Sequence, residues 1–284
     1  MTQPDIVPPA SLPTDTSLGE GLRIGLFDSG LGGLSVLRDL RQHMPLAQLL
    51  YIADSGNAPY GERDDAFIAG RALAISEFLL SQGAQIIVVA CNTATAMAVH
   101  TLRQRWPQVP IVGVEPGVKP AVALSANKRI GVLATPGTLS SDKFKRLIEM
   151  HGQDALIVPQ PCPGLAKEIE AGHLDSSALR ALVETFSQPL REAQVDTVVL
   201  GCTHYPFVSP LFQQALGPKV RIIDTAQAVA RQTQRVSAEL PRLPRLPRPD
   251  FEPTTRLWTS GSVAHLAQVT DRWLDLKAQV SVFP

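Results

Sequence analysis

The sequence is poor in aromatic residues and has no excess of either charge. Phe, Trp and Tyr make up 5% of its 284 residues, and 26 Lys plus Arg balance 26 Asp plus Glu. Because a polyanion binder usually carries a basic surface, this balance argues against a nucleic-acid partner. Every apolar stretch falls short of the roughly 20 residues that cross a membrane, and the start shows neither part of a signal peptide. We therefore expect a cytoplasmic protein with no membrane partner.

Cysteine is scarce as well. The three cysteines, Cys91, Cys162 and Cys202, are an odd number spread along the chain without a Cys-x-x-Cys pair. This spacing argues against a disulfide framework and a zinc knuckle, so we expect reduced thiols and no metal site. A free cysteine is most often a small buried hydrophobe, and we expect that structural role for Cys162, which prolines flank.

The chain does have a regular alternation of short apolar runs and longer amphipathic stretches. RIGLFDSG precedes LSVLRDLRQHM, and QIIVVACN precedes TATAMAVHTLRQRW. Strand followed by helix, repeated along the chain, predicts an α/β fold with a mainly parallel sheet. The alternation continues to the C-terminus, with a strand predicted over 256–261 and helices over 141–151, 176–194 and 263–274.

Two pairs of segments resemble each other within the sequence. QIIVVACNTATA and DTVVLGCTHYPF each begin with a buried strand, followed by a small residue, a cysteine and a threonine. RIGLFDSG and RIGVLATPGT form a second pair, and the offset is 111 residues for the cysteines and 106 for Ile24 and Ile130. These similar offsets predict two pseudo-symmetric lobes, each a mainly parallel sheet flanked by helices, with the active site in the cleft between them.

The predicted lobes divide the chain unequally. We assign residues 22–114 plus 226–284 to the first lobe and residues 115–225 to the second. Residues 1–21 are rich in Pro, Ser, Thr and Asp without periodicity and are predicted to form a flexible N-terminal extension. Residues 241–250, PRLPRLPRPD, are predicted to be a linker or an extended surface crossing because proline removes backbone donors.

Polar residues follow several predicted strands, where ligands bind in open α/β sheets. Cys91 and Cys202 take equivalent places, so facing lobes would oppose their thiols across the cleft. Two opposed thiols suit a reaction that removes a proton from one face of a carbon and returns one to the other. The other residues at strand ends include Asp28, Ser29, Asp54, Asn92, Thr93, Thr135, Thr138, Thr203 and His204.

Several of these residues have a structural alternative. His204 either polarises the Cys202 thiol or holds a turn, and Asp28 either assists Cys91 or caps a helix beginning near Gly32. Tyr60, in the APYGER segment, is a hydroxyl donor or part of an ordinary turn. The glycines of the turn after Asp28 do not match the dinucleotide-binding pattern.

The motifs FDSGLGGLSVL, ADSGNAPYGER, VVACNTATA and VLGCTHYPF resemble those of the glutamate racemases of bacterial cell-wall synthesis. The resemblance runs from about Leu22 to the C-terminus. It implies an enzyme that interconverts L-glutamate and D-glutamate for peptidoglycan, with paired thiols and without pyridoxal phosphate or metal. Cys91 would be the acid/base on the D-glutamate side, and Cys202 the one on the L-glutamate side.

The resemblance also implies roles for other residues. Asp28 and Asp54 would support Cys91, and His204 would support Cys202. Glu170 would be a helper, although its LAKEIEAG segment departs from the family pattern. The substrate would be bound by Asp28, Ser29, Tyr60, Gly61, Asn92, Thr93, Thr203 and His204, with Thr135 or Thr138 holding a carboxylate.

The sequence leaves regulation and some alternatives open. The N-terminal extension resembles that of enterobacterial-type racemases, some of which are activated by a UDP-linked muramyl peptide, and shared regulation is a hypothesis. A racemase of the same superfamily could act on aspartate or another small acid, whereas a related decarboxylase would not need both thiols. A binding protein for DNA gyrase is an alternative of a different class. Monomer and homodimer are both compatible with the sequence.

Overall fold

The computed structural model describes residues 21–240 and 253–284. The predicted linker 241–250 and all but the last residue of the predicted extension 1–21 lie outside the described residues.

Short parallel strands alternate with helices along the described chain. The strands are β1 Arg23–Asp28, β2 Gln48–Ala53, β3 Ile86–Val89, β4 Ile111–Gly113, β5 Arg129–Ala134, β6 Leu156–Pro161, β7 Thr197–Leu200, β8 Arg221–Ile223, β9 Thr255–Thr259 and β10 Gln279–Val282. The helices are α1 Leu34–His43, α2 Asp65–Ser81, α3 Asn92–Arg105, α4 Val118–Leu124, α5 Pro136–Ser140, α6 Asp142–His151, α7 Leu165–Glu170, α8 Ser177–Glu192, α9 Ser209–Leu216, α10 Ala226–Ser237 and α11 Val263–Leu274. Short 3-10 turns lie at Ser55–Asn57, Tyr60–Glu62 and Tyr205–Val208.

The strands form two sheets. The first has the order β10-β9-β2-β1-β3-β4 and the second the order β6-β5-β7-β8. All neighbouring strands pair in parallel. The central strands β3 and β7 are fully buried, as expected for parallel sheets covered by helices on both faces. The predicted α/β class with two lobes is therefore confirmed, whereas the division at 114/115 and 225/226 stays a prediction.

The two lobes repeat the same strand order. The run β2-β1-β3-β4 in the first sheet corresponds to β6-β5-β7-β8 in the second. Gly25 in β1 and Gly131 in β5 are equivalent, because a Cβ atom on either would lie only 3.0 or 2.9 Å from a helix leucine, Leu79 or Leu190. These two leucines are 111 residues apart, which is also the offset between Cys91 and Cys202. The pseudo-symmetry thus extends from the strands to the helices that cover them.

Sequence periodicity located the long elements better than the short ones. The predicted helices over 141–151, 176–194 and 263–274 correspond to α6, α8 and α11, and the predicted strand over 256–261 to β9. The strands β8 and β10 were not predicted, because three or four partly exposed residues carry no periodic signal. In the described ranges, no helix is both long enough and apolar enough to cross a membrane.

Candidate active site

A buried cavity lies between the lobes at the carboxyl ends of the strands. Its volume is about 20 Å³, room for about one water molecule. Both Cys91 and Cys202 line it, one from each lobe. The other lining residues are Ser29, Ala58, Pro59, Tyr60, Gly61, Asn92, Thr93, Thr135, Thr138, Ala166, Glu170, Thr203 and His204. Every predicted site residue is therefore in this wall except Asp28 and Asp54, which lie behind it.

Cys91 follows β3 and caps the N-terminus of α3. Its Sγ accepts a hydrogen bond from the backbone N–H of Ala94 at 3.4 Å, and its thiol lies 3.7 Å from the Ser29 hydroxyl. Burial, and after it the nearby carboxylate of Asp28, raise the pKa of the Cys91 thiol well above its usual range. The neutral thiol is therefore the favoured form of Cys91 in this closed arrangement.

Asp28 is completely buried at the end of β1. Its carboxylate accepts hydrogen bonds from the backbone N–H groups of Ser29 at 2.8 Å and Gly33 at 2.5 Å. The Thr203 hydroxyl, from the other lobe, donates to it at 3.2 Å. Burial raises the pKa of Asp28, although the charge of His204 and hydrogen bonds from Cys91 and the Ser29 N–H oppose the rise. Asp28 thus holds the turn before α1 and lies beside Cys91. The predicted alternative that it caps the helix is wrong, because Gly33 is the N-cap of α1. The support of Cys91 by Asp28 stays a prediction.

Cys202 follows β7 and belongs to a chain of titratable groups. Its Sγ lies 3.5 Å from Nδ1 of His204, whose Nε2 pairs with the carboxylate of Glu170. Glu170 also accepts a hydrogen bond from the backbone N–H of Leu31 at 2.5 Å. Burial lowers the pKa of His204, but its bonds to Cys202 and Glu170 outweigh this and raise it well above its usual range. His204 can therefore hold a proton next to the Cys202 sulfur.

Three threonine hydroxyls meet across the cleft. Thr93 comes from α3 in the first lobe, and Thr135 and Thr138 come from the end of β5 and from α5 in the second. Their Oγ1 atoms are 3.0 Å apart for Thr93–Thr135 and Thr135–Thr138, and 3.3 Å apart for Thr93–Thr138. Beside them the Asn92 side chain is buried, and neither its amide nitrogen nor its oxygen has a partner among the described residues. Unpaired buried polar atoms of this kind are rare, and Asn92 lines the cavity.

Asp54 lies behind Tyr60 rather than beside a thiol. Its carboxylate accepts hydrogen bonds from the hydroxyls of Tyr60 at 2.5 Å and Ser260 at 2.7 Å, and forms a bidentate ion pair with Arg71. Burial raises the pKa of Asp54, but these bonds outweigh burial and lower it. Of these contacts of Asp54, Tyr60 is the residue that lines the cavity. Direct support of Cys91 by Asp54 stays a prediction.

Sequence reasoning did not identify Arg71 and Ser260. Arg71 lies on α2, 17 residues from Asp54, and Ser260 follows β9, 206 residues from it. The one local signal was Arg71 itself, a cation within the otherwise uncharged stretch FIAGRALAI. Ser260 lies at the end of the strand predicted over 256–261, but its contact with Asp54 depends on the pairing of β9 with β2.

Comparison with known proteins places this site in a family. A family model described as Asp/Glu/Hydantoin racemase matches residues 34–233. The chain is 48% identical over 260 residues to the glutamate racemase of Ectopseudomonas mendocina, covering 92% of this chain and 97% of that protein. The chain belongs to the glutamate racemase family. As a member, this enzyme is an isomerase.

Solved structures show the same fold as this racemase. A glutamate racemase isoform from Bacillus anthracis is 30% identical, with a TM-score of 0.83 over 93% of this chain and 98% of that one. The Escherichia coli glutamate racemase, in complex with L-glutamate and the activator UDP-MurNAc-Ala, is 29% identical, with a TM-score of 0.81 over 92% of this chain and 97% of that one. The two-lobe architecture is therefore that of the family.

Cys162 of the racemase lies outside the cavity wall. Its thiol is buried and donates to the backbone oxygen of Gln160 at 3.4 Å. Burial raises the pKa of this thiol above its usual range. These contacts agree with the structural role expected from its flanking prolines.

The glycine-rich turn before α1 lets the lobes approach each other closely. A Cβ atom on Gly30 would overlap the Glu170 carboxylate, and one on Gly32 would overlap the His204 ring. The turn therefore has glycines because the second lobe packs on its backbone, rather than because it binds a dinucleotide.

Proposed function

We propose that this racemase interconverts L-glutamate and D-glutamate by two-thiol proton transfer and so supplies D-glutamate for peptidoglycan synthesis. The observation that supports this most is the position of Cys91 and Cys202, which come from opposite lobes and line one buried cavity. The glutamate racemases to which the chain is similar support the substrate. We place the reaction in the cytoplasm, where free glutamate is available.

In the L-to-D direction, the Cys202 thiolate removes the α-proton and the Cys91 thiol donates its proton to the opposite face. The C–H bond breaks as the Cys202 S–H bond forms, and the electron pair stays on the α-carbon and its carboxylate. The new C–H bond then takes its proton from Cys91, which becomes the thiolate. Reversing the roles of the two sulfurs gives the D-to-L direction, so no external oxidant, reductant or cofactor enters the balance.

The carbanion requires more stabilisation than two thiols provide. General acid–base catalysis contributes about 10² to 10⁴-fold, and charge-stabilising donors supply much of the rest. The three threonine hydroxyls and the unpaired Asn92 side chain are such donors on the cavity wall. Ser29, Tyr60, Gly61 and Thr203 complete the predicted carboxylate and ammonium contacts.

Flanking groups would set the protonation of the two thiols. His204, paired with Glu170, keeps a proton beside Cys202 and stabilises its negative charge. Asp28 lies beside Cys91, where a carboxyl whose pKa is raised can accept or return a proton. Glu170 thus acts through His204, and the departure of its segment from the family pattern has not removed this contact.

Substrate entry requires the lobes to separate, because the cavity has room for about one water molecule and glutamate is several times larger. Closure over the substrate would then exclude water from the carbanion and shorten the donor distances.

The proposal predicts that the wild-type protein inverts both glutamate enantiomers in D₂O. Each inverted molecule gains deuterium at the α-carbon, because the proton that is returned comes from a thiol in exchange with solvent. Circular dichroism measures inversion and NMR measures deuterium incorporation. Aspartate, whose side chain is one methylene shorter than that of glutamate, is the comparison substrate. Turnover of aspartate without turnover of glutamate would reassign the substrate and leave the proton-transfer chemistry in place.

Regulation by a UDP-linked muramyl peptide is a second part of the proposal. The related Escherichia coli enzyme was crystallised with such an activator, UDP-MurNAc-Ala. If residues 1–20 mediate the same response here, their deletion is expected to abolish stimulation by UDP-MurNAc-Ala while the basal rate stays within twofold. Rates of the full-length and shortened proteins, with and without the nucleotide, test this. Equal stimulation of the full-length and shortened proteins would show that residues 1–20 do not mediate the response.

A further inference from the structure

The helix α11 of the first lobe contacts the second lobe at the end of α7. α11 lies between β9 and β10 of the first sheet, and α7 lies between β6 and β7 of the second. Nε2 of His265 on α11 is 2.8 Å from the backbone oxygen of Glu170, the last residue of α7. Nη1 of Arg272, also on α11, donates to the backbone oxygen of Gly172 at 3.3 Å. Neither His265 nor Arg272 lines the cavity, so these bonds join the lobes from outside its wall.

The His265 ring is the donor in its contact with Glu170. A backbone oxygen can only accept a hydrogen bond, so Nε2 of His265 carries the hydrogen. The last carbonyl groups of a helix have no partner within the helix and need such a donor. The two backbones also approach closely, since Gly172 has a φ of +83° and a Cβ atom on it would lie 3.3 Å from Cε1 of His265. α11 therefore holds the turn that follows α7 directly by its backbone.

Glu170 connects this outer contact to the cavity. Its side chain lines the cavity, where the carboxylate pairs with Nε2 of His204 and accepts a hydrogen bond from the Leu31 N–H at 2.5 Å. Nδ1 of His204 in turn lies 3.5 Å from the Cys202 sulfur. The backbone oxygen and the carboxylate belong to the same residue, so a shift of the Glu170 backbone moves its carboxylate relative to His204.

We propose that His265 is a positioning residue, which holds the backbone of Glu170 so that the Glu170 carboxylate stays paired with His204. This inference rests on the proposed two-thiol reaction, in which His204 keeps a proton beside Cys202. His265 comes from the first lobe, whereas Glu170 and His204 come from the second, so the bond forms as the lobes close. Closure over the substrate then aligns Glu170, His204 and Cys202 in the same movement that excludes water.

Three substitutions of His265 separate the hydrogen bond from packing. Leucine has no donor, asparagine has one at the place of Nδ1, and glutamine has one at the place of Nε2. We expect kcat/KM for glutamate to fall about tenfold in His265→Leu and His265→Asn, the upper end of the worth of one hydrogen bond. The fall should be in kcat rather than KM, as His265 does not line the cavity. His265→Gln should stay within about twofold of wild type, because it keeps the bond.

A double variant tests whether His265 acts through the Glu170 carboxylate. Glu170→Ala removes the carboxylate but keeps the backbone oxygen that His265 binds. In that background, His265→Leu should lower kcat/KM by less than about twofold, because no carboxylate is left to position. The same fall in both backgrounds would overturn the proposal in favour of a packing role, as would equal losses in His265→Gln and His265→Leu. Unchanged kcat/KM in His265→Leu would also overturn it.

A second measurement does not depend on turnover. The chain has six histidines, so protein labelled with ¹⁵N in the histidine rings gives a small set of NMR signals, and His204→Asn identifies those of His204. We expect the His204 signals to move in His265→Leu and to stay in place in His265→Gln. Unmoved His204 signals in His265→Leu would overturn the proposal. A wild-type protein that does not racemise glutamate would instead contradict the proposed function, while the NMR comparison would still decide whether His265 positions Glu170.

Discussion

Alanine at Cys91 or at Cys202 is expected to reduce racemisation of glutamate by at least about a thousandfold, within the range that a lost acid–base group costs. Each substitution removes the only thiol on one face of the α-carbon, so a proton taken from the other face cannot be returned with inversion. Both side chains are more than 90% buried, and alanine fits either site without a clash. Circular dichroism of each enantiomer gives the rate of inversion.

Exchange without inversion would separate the roles of the two thiols. Cys91→Ala keeps Cys202 and should still exchange the α-proton of L-glutamate with D₂O, whereas Cys202→Ala should exchange only that of D-glutamate. Cys162→Ala, which removes a thiol outside the cavity, serves as the control for loss of a buried sulfur. Inversion within tenfold of wild type in either variant would contradict the two-thiol mechanism. Exchange of the opposite enantiomers would reverse the assignment of the faces.

Arg71→Met is expected to lower the free energy of unfolding by about 3 kcal/mol, the lower end of the cost of breaking a buried ion pair. Arg71 donates to both carboxylate oxygens of Asp54, at 2.9 and 2.8 Å, and the Asp54 side chain is 0% exposed. The lower end applies because the Arg71 side chain is 25% exposed. Without Arg71 the buried carboxylate keeps only neutral donors. Denaturation by urea at neutral pH measures the change.

Two further variants test whether the uncompensated charge causes this loss. Arg71→Met combined with Asp54→Asn removes the charge and should recover part of the stability. Arg71→Lys keeps a positive charge but cannot form the bidentate ion pair. Its free energy of unfolding should lie between those of wild type and Arg71→Met. If the double variant is as unstable as the sum of the single ones, the two side chains are not coupled and the prediction is wrong.

The same ion pair predicts the direction of a pH effect. The pKa of Asp54 is lower in the folded protein than the value of about 3.9 in an unfolded chain. Its stabilising contribution is therefore fully present above that unfolded value and is lost as the pH falls through the folded one. The stability difference between wild type and Arg71→Met should be largest near neutral pH and shrink on acidification, as Asp54 becomes protonated first in the variant and then in the wild type. A difference that grows on acidification would contradict this.

The position of Cys91 and Cys202 at the cavity could be predicted because its signal is local. Each cysteine stands two residues after a buried strand, β3 or β7, and strand ends in an α/β sheet face the ligand site. The matched offset of the two motifs predicted that they belong to equivalent places in two lobes. The place of Ser29, Asn92, Thr93 and Thr203 in the cavity wall could be predicted in the same way, since each stands beside a recognised strand end.

By itself the sequence determined the α/β class, the two lobes and the residues at strand ends, because these follow from periodicity over a few neighbouring residues. Only the tertiary structure decided which side chains form hydrogen bonds with these residues. Glu170 meets His204 across 34 residues, Ser260 meets Asp54 across 206, and Thr203 meets Asp28 across 175. Such contacts depend on how one sheet is ordered and how the two lobes pack. A short stretch of sequence cannot predict that packing, because the packing depends on apolar residues that are buried throughout both lobes.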